Sequence, residues 1–257
     1  SCVFDLVGAT VSCELMPGEF VRITEGVVEK LAPLPAKPVT RCVFELVYFA
    51  RPDSFIFGKS VDAVRREIGR QLAREQPVPG AEVVFSVPDS SNAMALGYSE
   101  ASGVKLEYGL IRNHYVGRTF INPTQSIRDA KVRIKFNPVR EVIEGRSVIV
   151  VDDSLVRGTT SKGLVRMVRA AGAREVHLRL GSPPITGPCH YGIDTPTREE
   201  LIAATHSFDE IRDYLGVDSL GYLSLEGMLA AAGSPDRGFC HACFSGDYPT
   251  FIPEDLV

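Results

Sequence analysis

The sequence lacks long hydrophobic runs, an excess of positive charge, internal repeats and low-complexity segments. No apolar run approaches the roughly 20 residues that a membrane-spanning helix needs, so no membrane partner is expected. The formal net charge of −4 argues against a basic surface for nucleic acid, and any anion site must be local. With 257 residues, 44% of them hydrophobic and 23% charged, the chain has the composition of a globular protein with one large domain or one domain with appendages.

The N-terminus, "SCVFDLVGA", has neither an initiator methionine nor the shape of a signal peptide. Such a start is expected of a fragment or a processed product. Cytoplasm is the default expectation for location. A plastid is the alternative, because a plastid protein without its transit peptide would look the same.

Six cysteines occur, at positions 2, 13, 42, 189, 240 and 243. Four lie far apart and nothing points to secretion, so a disulfide framework is not expected. "CHAC", from Cys240 to Cys243, has the spacing of metal ligands. A redox CxxC normally opens a helix after a strand, whereas this one precedes Gly246 and Pro249 in a loop-like tail. A metal or cluster site is favoured over a redox pair, and two unmodified thiols are the remaining alternative.

Apolar periodicity predicts short strands and turns up to about residue 32, then "LPAKP" (34–38) as a boundary. Beyond it, strand-like runs such as "RCVFELVYFA" (41–50) and "KLEYGLIRN" (105–113) alternate with helical patterns. One helix is predicted over "SVDAVRREIGRQLARE" (60–75), with Ser60 as its N-cap, and another over "SNAMALGYSEASG" (91–103), closed by Gly103. Strands that alternate with helices predict an α/β fold, a mainly parallel sheet covered by helices on both faces.

One predicted strand leads into two neighbouring acids, Asp152 and Asp153, in "SVIVVDDSLVRGTTSKG" (147–163). Ligands bind beyond the carboxyl ends of parallel strands, and adjacent carboxylates repel unless a cation or a sugar hydroxyl relieves them. The hydroxyl-rich loop 154–161 then leads into a helix N-terminus, whose free N–H groups suit a phosphate. The pattern indicates a sugar-phosphate site. Helix capping would explain one of these residues but not the set, and a Walker A loop is excluded because GxxxxGK[ST] is absent.

"VIVVDDSLVRGTTS" resembles the phosphoribosyl pyrophosphate (PRPP) signature of type I phosphoribosyltransferases, in the variant of the amidophosphoribosyltransferases. Further segments agree in order, so that the resemblance covers essentially residues 39 to 251: "FELVYFARPDS", "VPDSS", "YVGRTFINPTQSIR", "SPPITGPCHYGID" and "CHACFSGDYP". It implies the type I phosphoribosyltransferase fold. It also implies that ammonia, supplied by glutamine in the intact enzyme, displaces pyrophosphate from PRPP to give 5-phosphoribosylamine, the first committed step of de novo purine biosynthesis.

The family's full enzyme begins with a glutaminase domain, and residues 1–23 resemble the last strands of that domain rather than its start. The resemblance therefore implies a C-terminal remnant of a glutaminase domain over residues 1–35. Residues 36–257 would be a phosphoribosyltransferase domain with a cluster-binding C-terminal tail. Cys2 is not expected to be the N-terminal nucleophile, and this chain alone is expected to use ammonium rather than glutamine. A homo-oligomer, dimer or tetramer, is expected.

The resemblance also implies roles for single residues. Asp152 and Asp153 would hold the ribose hydroxyls and Mg²⁺, and Ser90 would join the Mg²⁺ and pyrophosphate site. From the residues alone, Ser90 would be only a turn after Pro88. The remaining PRPP-binding residues would be those of the loop: Ser154, Arg157, Gly158, Thr159, Thr160 and Ser161.

A long polar stretch, 117–140, carries six basic residues against one acid, Asp129. The basic residues are Arg118, Arg128, Lys131, Arg133, Lys135 and Arg140. A loop this long inside a compact domain is often a functional lid, although a solvated basic loop is the alternative. The family has a loop here that closes over PRPP. Arg118 and Lys135 are the predicted catalytic residues, because positive charge would stabilise the leaving pyrophosphate and closure would exclude water.

Some family members carry a [4Fe–4S] cluster on four cysteines. The cysteines that match those positions are Cys42, Cys189, Cys240 and Cys243. The resemblance, and not spacing, selects them over Cys2 and Cys13. A tetrahedral Zn²⁺ site on the same sulfurs is the competing interpretation.

Two other functions compete with the amidotransferase. A PRPP-dependent transferase acting on a nucleobase would need base-stacking aromatic residues, which the region 197–233 could supply. A catalytically inactive PRPP-binding regulator could have kept the signature, with the cluster as a redox sensor. The basic stretch 117–140 argues against the regulator, since a sensor need not retain so basic a lid.

Overall fold

The computed structural model describes residues 2–113, 135–195, 197–233 and 238–253. Its helices are α1 (Cys2–Val7), α2 (Val61–Glu75), α3 (Asn92–Ser102), α4 (Arg140–Ile143), α5 (Thr159–Ala170), α6 (Ile202–Thr205), α7 (Phe208–Leu215), α8 (Leu225–Ala231) and α9 (Ala242–Ser245), with a π-helical turn at Glu45–Phe49 and a 3₁₀ turn at Arg198–Glu200. Its strands are β1 (Val21–Thr24), β2 (Val27–Lys30), β3 (Arg41–Cys42), β4 (Phe55–Ile56), β5 (Lys59–Ser60), β6 (Val83–Ser86), β7 (Lys105–Leu106), β8 (Leu110–Arg112), β9 (Phe136–Pro138), β10 (Ser147–Asp152), β11 (Glu175–Leu180), β12 (Ser219–Tyr222) and β13 (Phe239–Cys240).

A five-stranded sheet in the order β12–β11–β10–β6–β7 forms the centre of the fold, and its neighbouring strands are all parallel. Side chains of β10 alternate between two buried clusters: Val148 and Val150 join one, and Ile149 and Val151 join the other. Because both faces are covered, β10 is apolar from Val148 to Val151. The predicted α/β fold with a mainly parallel sheet flanked by helices is confirmed.

Two helices follow their predicted caps and faces. The Ser60 hydroxyl accepts a hydrogen bond from the Ala63 N–H at 3.4 Å and begins α2. The apolar positions of α2, among them Ile68 and Leu72, are buried as the 3.6-residue period predicts. Helix α3 ends at Gly103, whose φ of 73° closes the helix in the left-handed region.

The apolar pattern of the run 41–50 predicts one strand, and this prediction is wrong. Only Arg41 and Cys42 pair with another strand, β13, and the chain then turns into the π-helical turn. The reason is tertiary: Arg65 on α2 donates from Nε to the Leu46 carbonyl at 3.0 Å and from Nη2 to the Ala50 carbonyl at 2.8 Å. These bonds satisfy carbonyls that a strand would have paired with a neighbour. The run 105–113 is likewise divided, into β7 and β8.

The N-terminal segment also departs from its strand-like pattern, since Cys2–Val7 forms helix α1 with none of its residues buried. β1 and β2 then form an antiparallel pair. Apolar side chains of this segment face solvent: Leu6 is 76% exposed and Val27 is 67% exposed. A strand needs a neighbouring strand to pair its backbone groups, and among the described residues 2–7 has none. The alternating apolar pattern of this segment therefore does not produce a strand. None of the helices in the described part of the chain is long and apolar enough to cross a membrane.

Replacing Tyr222 with phenylalanine should stabilise the fold. Tyr222 ends β12, is 8% exposed, and its hydroxyl has no hydrogen-bond partner among the described residues. Since an unpaired buried hydroxyl costs free energy, its removal should raise the free energy of unfolding by about 1 kcal/mol in urea titrations. The matched control is Tyr98→Phe, which should lower it, because the Tyr98 hydroxyl donates to the Gln76 carbonyl at 2.8 Å. A Tyr222→Phe protein less stable than the parent would contradict the prediction.

Candidate functional site

A cavity of about 590 Å³ opens beyond the carboxyl end of the sheet. The predicted site residues that line it are Ser90, Lys135, Asp152, Asp153, Ser154, Arg157, Gly158, Thr159, Thr160 and Ser161. Arg118, Arg128, Lys131 and Arg133 lie outside the described residues, and so does most of the predicted lid. Arg140 lines a separate cavity beside α5 instead. Apart from Arg140, the structure thus brings together every described residue predicted to act on PRPP.

Serine hydroxyls hold the two acids in place. Asp153 accepts hydrogen bonds from the Ser90 and Ser154 hydroxyls, each at 2.6 Å. Asp152 Oδ1 accepts one from the Ser91 hydroxyl at 3.1 Å and one from the Asp153 N–H at 2.9 Å. Because Ser90 and Ser91 come from the loop after β6, two neighbouring strands jointly fix the carboxylates. Ser91 was missed by sequence reasoning, although it stands beside Ser90 in "VPDSS".

The surroundings of Asp152 and Asp153 disfavour the ionised forms of both carboxyl groups. Burial, and then the charge of Asp153, raise the pKa of Asp152 well above its usual range. Burial also raises the pKa of Asp153, which is 5% exposed, against the opposing effects of Ser154, Ser90 and the Arg65 charge. A cation or hydroxyl donors at this point would stabilise the ionised forms.

The donor chemistry of the pair fits Mg²⁺. Carboxylate oxygens are the hard ligands that Mg²⁺ takes, commonly one or two of them together with substrate phosphates and water. Within the described ranges, no group of three or more His, Cys, Asp or Glu side chains is arranged to hold a metal ion. Asp152 and Asp153 would therefore supply part of a coordination shell that the substrate completes.

The loop after the acids ends in an uncapped helix N-terminus. Gly158 has φ of 73° and lies immediately before α5, and no side chain in the described part of the chain caps that end. Thr159, Thr160 and Ser161, the first residues of α5, line the cavity. Free N–H groups and the helix dipole favour an anion there. This end of the cavity is suited to a phosphate.

Two charged features near the acids were not found from the sequence. Arg65 is 1% exposed and supplies a buried positive charge that acts on Asp153. Arg112 donates from Nη1 to Asp89 Oδ2 at 2.6 Å, and both residues line the cavity. The sequence does offer one signal for Arg65, which is its position beside the apolar face of α2. An arginine at such a position is buried only if it is paired, so the position predicts a buried, paired charge.

Four of the six cysteines converge on the same cavity, and Cys2 and Cys13 do not line it. Cys42 and Cys240 are directly opposite in the β3–β13 pair. The Cys243 carbonyl accepts from the N–H groups of Thr186 and Gly187 at 2.9 and 3.1 Å, which holds α9 against the loop that carries Cys189. All six cysteines are free of disulfides. The prediction of a loop-like tail around Cys240 is wrong, because β13 ends at Cys240 and α9 contains Cys243. The strand–helix setting therefore no longer separates a metal site from a redox pair.

The electrostatics of the thiols resemble those of the acid pair. Burial, together with the charges of the three other cysteines, raises the pKa of Cys243 to about 12. Burial also raises the pKa of Cys42, against hydrogen bonding by the Phe44 and Glu45 backbone. A metal that binds sulfur would favour the thiolates and reverse these shifts.

No family model matches the chain, but named proteins do. An amidophosphoribosyltransferase of Synechococcus elongatus is 50% identical over 256 residues, which cover 100% of this chain and 52% of that protein. The chloroplastic amidophosphoribosyltransferase 2 of Arabidopsis thaliana is 50% identical over 257 residues, with 100% and 46% covered. The Bacillus subtilis amidophosphoribosyltransferase is 50% identical over 262 residues, with 100% and 55% covered.

Two solved structures match at the level of the fold and the sequence. The glutamine PRPP amidotransferase from B. subtilis, complexed with ADP and GMP, aligns with a TM-score of 0.90 and 50% identity over 100% of this chain and 57% of that chain. A structure described as the allosteric regulatory enzyme of purine biosynthesis also has a TM-score of 0.90 and 50% identity, with 100% and 56% covered. The chain spans about half the length of the proteins that it matches.

Proposed function

This chain is homologous over its full length to about half of an amidophosphoribosyltransferase, and we propose that it carries the phosphoribosyl transfer of that family. In this reaction ammonia attacks C1 of PRPP. The new N–C1 bond forms, the bond from C1 to pyrophosphate breaks with its electron pair, and the nitrogen loses a proton. One observation carries the proposal. The acid pair, with Asp153 buried and Asp152 half-buried, lines the same cavity as an uncapped helix N-terminus, and only the short loop 154–158 separates the two.

The residues divide the substrate between them. The N–H groups at the start of α5 and the hydroxyls of Thr159, Thr160 and Ser161 would bind the 5′-phosphate. Asp152 and Asp153 would hold the ribose hydroxyls and Mg²⁺, with Ser90 fixing Asp153 through its 2.6 Å hydrogen bond. Bound Mg²⁺ would supply positive charge to the pyrophosphate as it leaves.

Two cationic side chains complete the proposal. Lys135 lines the cavity, and its charge would add to that of Mg²⁺ on the leaving group. Arg118 is assigned the same task from the resemblance alone. Ordering of these groups around PRPP would also exclude water, which otherwise competes with ammonia for C1.

The cavity favours ammonia over a nucleobase as the acceptor. Among the described residues, no aromatic side chain from 197–233 lines the cavity, although a nucleobase transferase would use such rings for stacking. Of the aromatic residues that do line it, Phe136 follows Lys135 in β9, and the others, such as Phe44 and Tyr248, belong to the chain segments that carry the cysteines.

Pyrophosphate release tests the proposed function. The protein with PRPP and Mg²⁺ should release pyrophosphate in ammonium chloride and not in sodium chloride of equal ionic strength. Release with adenine or guanine and not with ammonium would support the nucleobase transferase. Binding of PRPP without release under any of these conditions would support the regulator and contradict the enzyme.

The metal-thiolate proposal is a [4Fe–4S] cluster rather than zinc. The four sulfurs that would hold it are those of Cys42, Cys189, Cys240 and Cys243, which line one cavity. The choice of the cluster rests on the resemblance, and a Zn²⁺ bound by the same sulfurs is the alternative. Among the described residues, no group of three or more His, Cys, Asp or Glu side chains is arranged to hold a metal ion, which counts equally against both. The bound cluster would link chain segments that are distant from one another in the sequence.

Residues 1–35 are proposed as the end of a glutaminase domain that packs against further chain. The exposed apolar side chains of α1 and the β1–β2 pair support this, because a surface of this kind is normally covered. The glutaminase would deliver ammonia to the cavity. A homo-oligomer and a cytoplasmic location complete the proposal, with a plastid as the alternative in view of the chloroplastic Arabidopsis relative.

A further inference from the structure

The phosphate loop 154–161 rests on a segment of chain that follows it by some forty residues. This backing segment, 198–215, comprises the 3₁₀ turn, α6 and α7. The Ile202 N–H donates to the Val156 carbonyl at 3.0 Å. Arg157 donates from Nη2 to Glu200 Oε2 at 3.1 Å. The loop is therefore joined to the backing segment through both its backbone and a side chain.

Tyr214 of the backing segment touches the loop region at two points. The Lys162 ammonium lies 3.7 Å from the centre of the Tyr214 ring, in the geometry of a cation–π contact. A Cβ added to Gly158 would lie 3.2 Å from Tyr214 Cε1 and 2.9 Å from Ile202 Cδ1. The ring thus packs directly behind the residue whose φ of 73° turns the chain into α5.

These contacts affect the N-terminus of α5, where the phosphate is expected to bind. Lys162 belongs to the first turn of α5, whose N–H groups face the cavity, and both Lys162 and Tyr214 are half-buried. Holding the ammonium over the ring keeps a positive charge near the helix N-terminus. Packing of Tyr214 and Ile202 close to Gly158 would limit the conformations that the loop before α5 can adopt. Both effects would reduce the ordering that phosphate binding must otherwise supply.

We propose that Tyr214 is a positioning residue for the 5′-phosphate of the substrate. It acts through Lys162 and Gly158 and touches no substrate atom itself. This inference rests on the proposed function, since it takes loop 154–161 as the seat of the sugar phosphate. It assigns a task to the backing segment, which none of the sequence motifs indicates.

Binding of two ligands separates this role from a general loss of structure. Ribose 5-phosphate presents a 5′-phosphate, whereas Mg²⁺–pyrophosphate presents only the leaving group. Tyr214→Leu should weaken binding of ribose 5-phosphate roughly tenfold and raise the KM for PRPP by a similar factor, with kcat within about twofold. Its affinity for Mg²⁺–pyrophosphate should be unchanged.

Tyr214→Phe, which keeps the ring, should match the parent for both ligands. Lys162→Met should weaken ribose 5-phosphate binding when it is made in the parent protein. The same change should have a smaller effect in the Tyr214→Leu variant, because the two residues act together.

Three outcomes would overturn the inference. Parent-like ribose 5-phosphate binding by Tyr214→Leu would show that the ring positions nothing. Equal losses for ribose 5-phosphate and Mg²⁺–pyrophosphate would show a general disturbance of the site. A parent protein that binds neither ligand nor PRPP would overturn the proposed function, and this inference with it. In the first two outcomes the parent still binds PRPP, so the proposed function stands.

Discussion

Asp152→Asn is expected to lower ammonium-dependent pyrophosphate release by roughly a hundredfold or more, the usual effect of losing one preorganised electrostatic contact at a reaction centre. The same change should make the unliganded protein more stable. Asparagine keeps the shape of the side chain and an oxygen that can accept from Ser91 and from the Asp153 N–H, as Asp152 Oδ1 does. It removes the charge that would bind Mg²⁺ and the ribose hydroxyls.

The gain in stability follows from the direction of the pKa shift. Burial and the neighbouring Asp153 raise the pKa of Asp152 in the folded state above its unfolded value. The folded protein therefore binds this proton more tightly than the unfolded chain does. The protonated Asp152 contributes its full stability below the pKa of the unfolded chain, about 4. This contribution to the free energy of unfolding is lost as the pH rises through the higher pKa of Asp152 in the folded protein. Asparagine has no proton to lose, so the variant should keep its stability across that window.

Thermal unfolding in EDTA from pH 4 to pH 8 measures the effect, and calorimetric titration with Mg²⁺–PRPP measures the loss of binding. Asp209→Asn is the matched control. Asp209 is exposed on α7, its Oδ1 lies 2.7 Å from Arg212 Nη1, and it does not line the cavity. Its replacement should therefore change neither turnover nor the pH dependence of stability. Parent-like kinetics in both Asp152→Asn and Asp153→Asn would remove the basis of the proposed function.

Cys240→Ser should give protein that is colourless and insoluble or unstable. Anaerobically purified parent protein, by contrast, is expected to be brown with about four iron atoms per chain. Cys240 lies opposite Cys42 in the β3–β13 pair, and Cys243 is joined to the loop before Cys189 by backbone hydrogen bonds. A cluster on these residues would close long loops between the early strand, the loop after the sheet and the C-terminal tail. Long closures of this kind and metal binding itself both add to folding free energy.

Iron and zinc content, visible absorption and the melting temperature measure this prediction. Cys13→Ser is the control, because Cys13 is exposed and does not line the cavity; its iron content should equal that of the parent. Exposure of the parent to oxygen should bleach the protein and inactivate it together. One zinc per chain in colourless protein would favour the zinc alternative, and stable protein with no metal would refute the site. Full activity and an unchanged melting temperature after iron loss would refute the structural role.

Local chemistry was sufficient to predict much of the fold. The apolar stripe of α2 and its cap at Ser60, the closure of α3 at Gly103 and the strand that leads to Asp152 all depend on residues within a few positions of one another. For the same reason the acid pair and the following loop could be predicted to form a sugar-phosphate site, since one continuous stretch carries the whole pattern.

Tertiary contacts decided the rest. The π-helical turn at Glu45–Phe49 exists where a strand was expected, because Arg65, on a different helix, binds its carbonyls. Spacing could not select Cys42 and Cys189 as partners of Cys240, because their proximity arises only when β3 pairs with β13 and the loops fold over the sheet. The contact of Tyr214 with Lys162 joins two helices. Interactions between residues distant in sequence leave no periodic or local trace, so only the folded chain could reveal them.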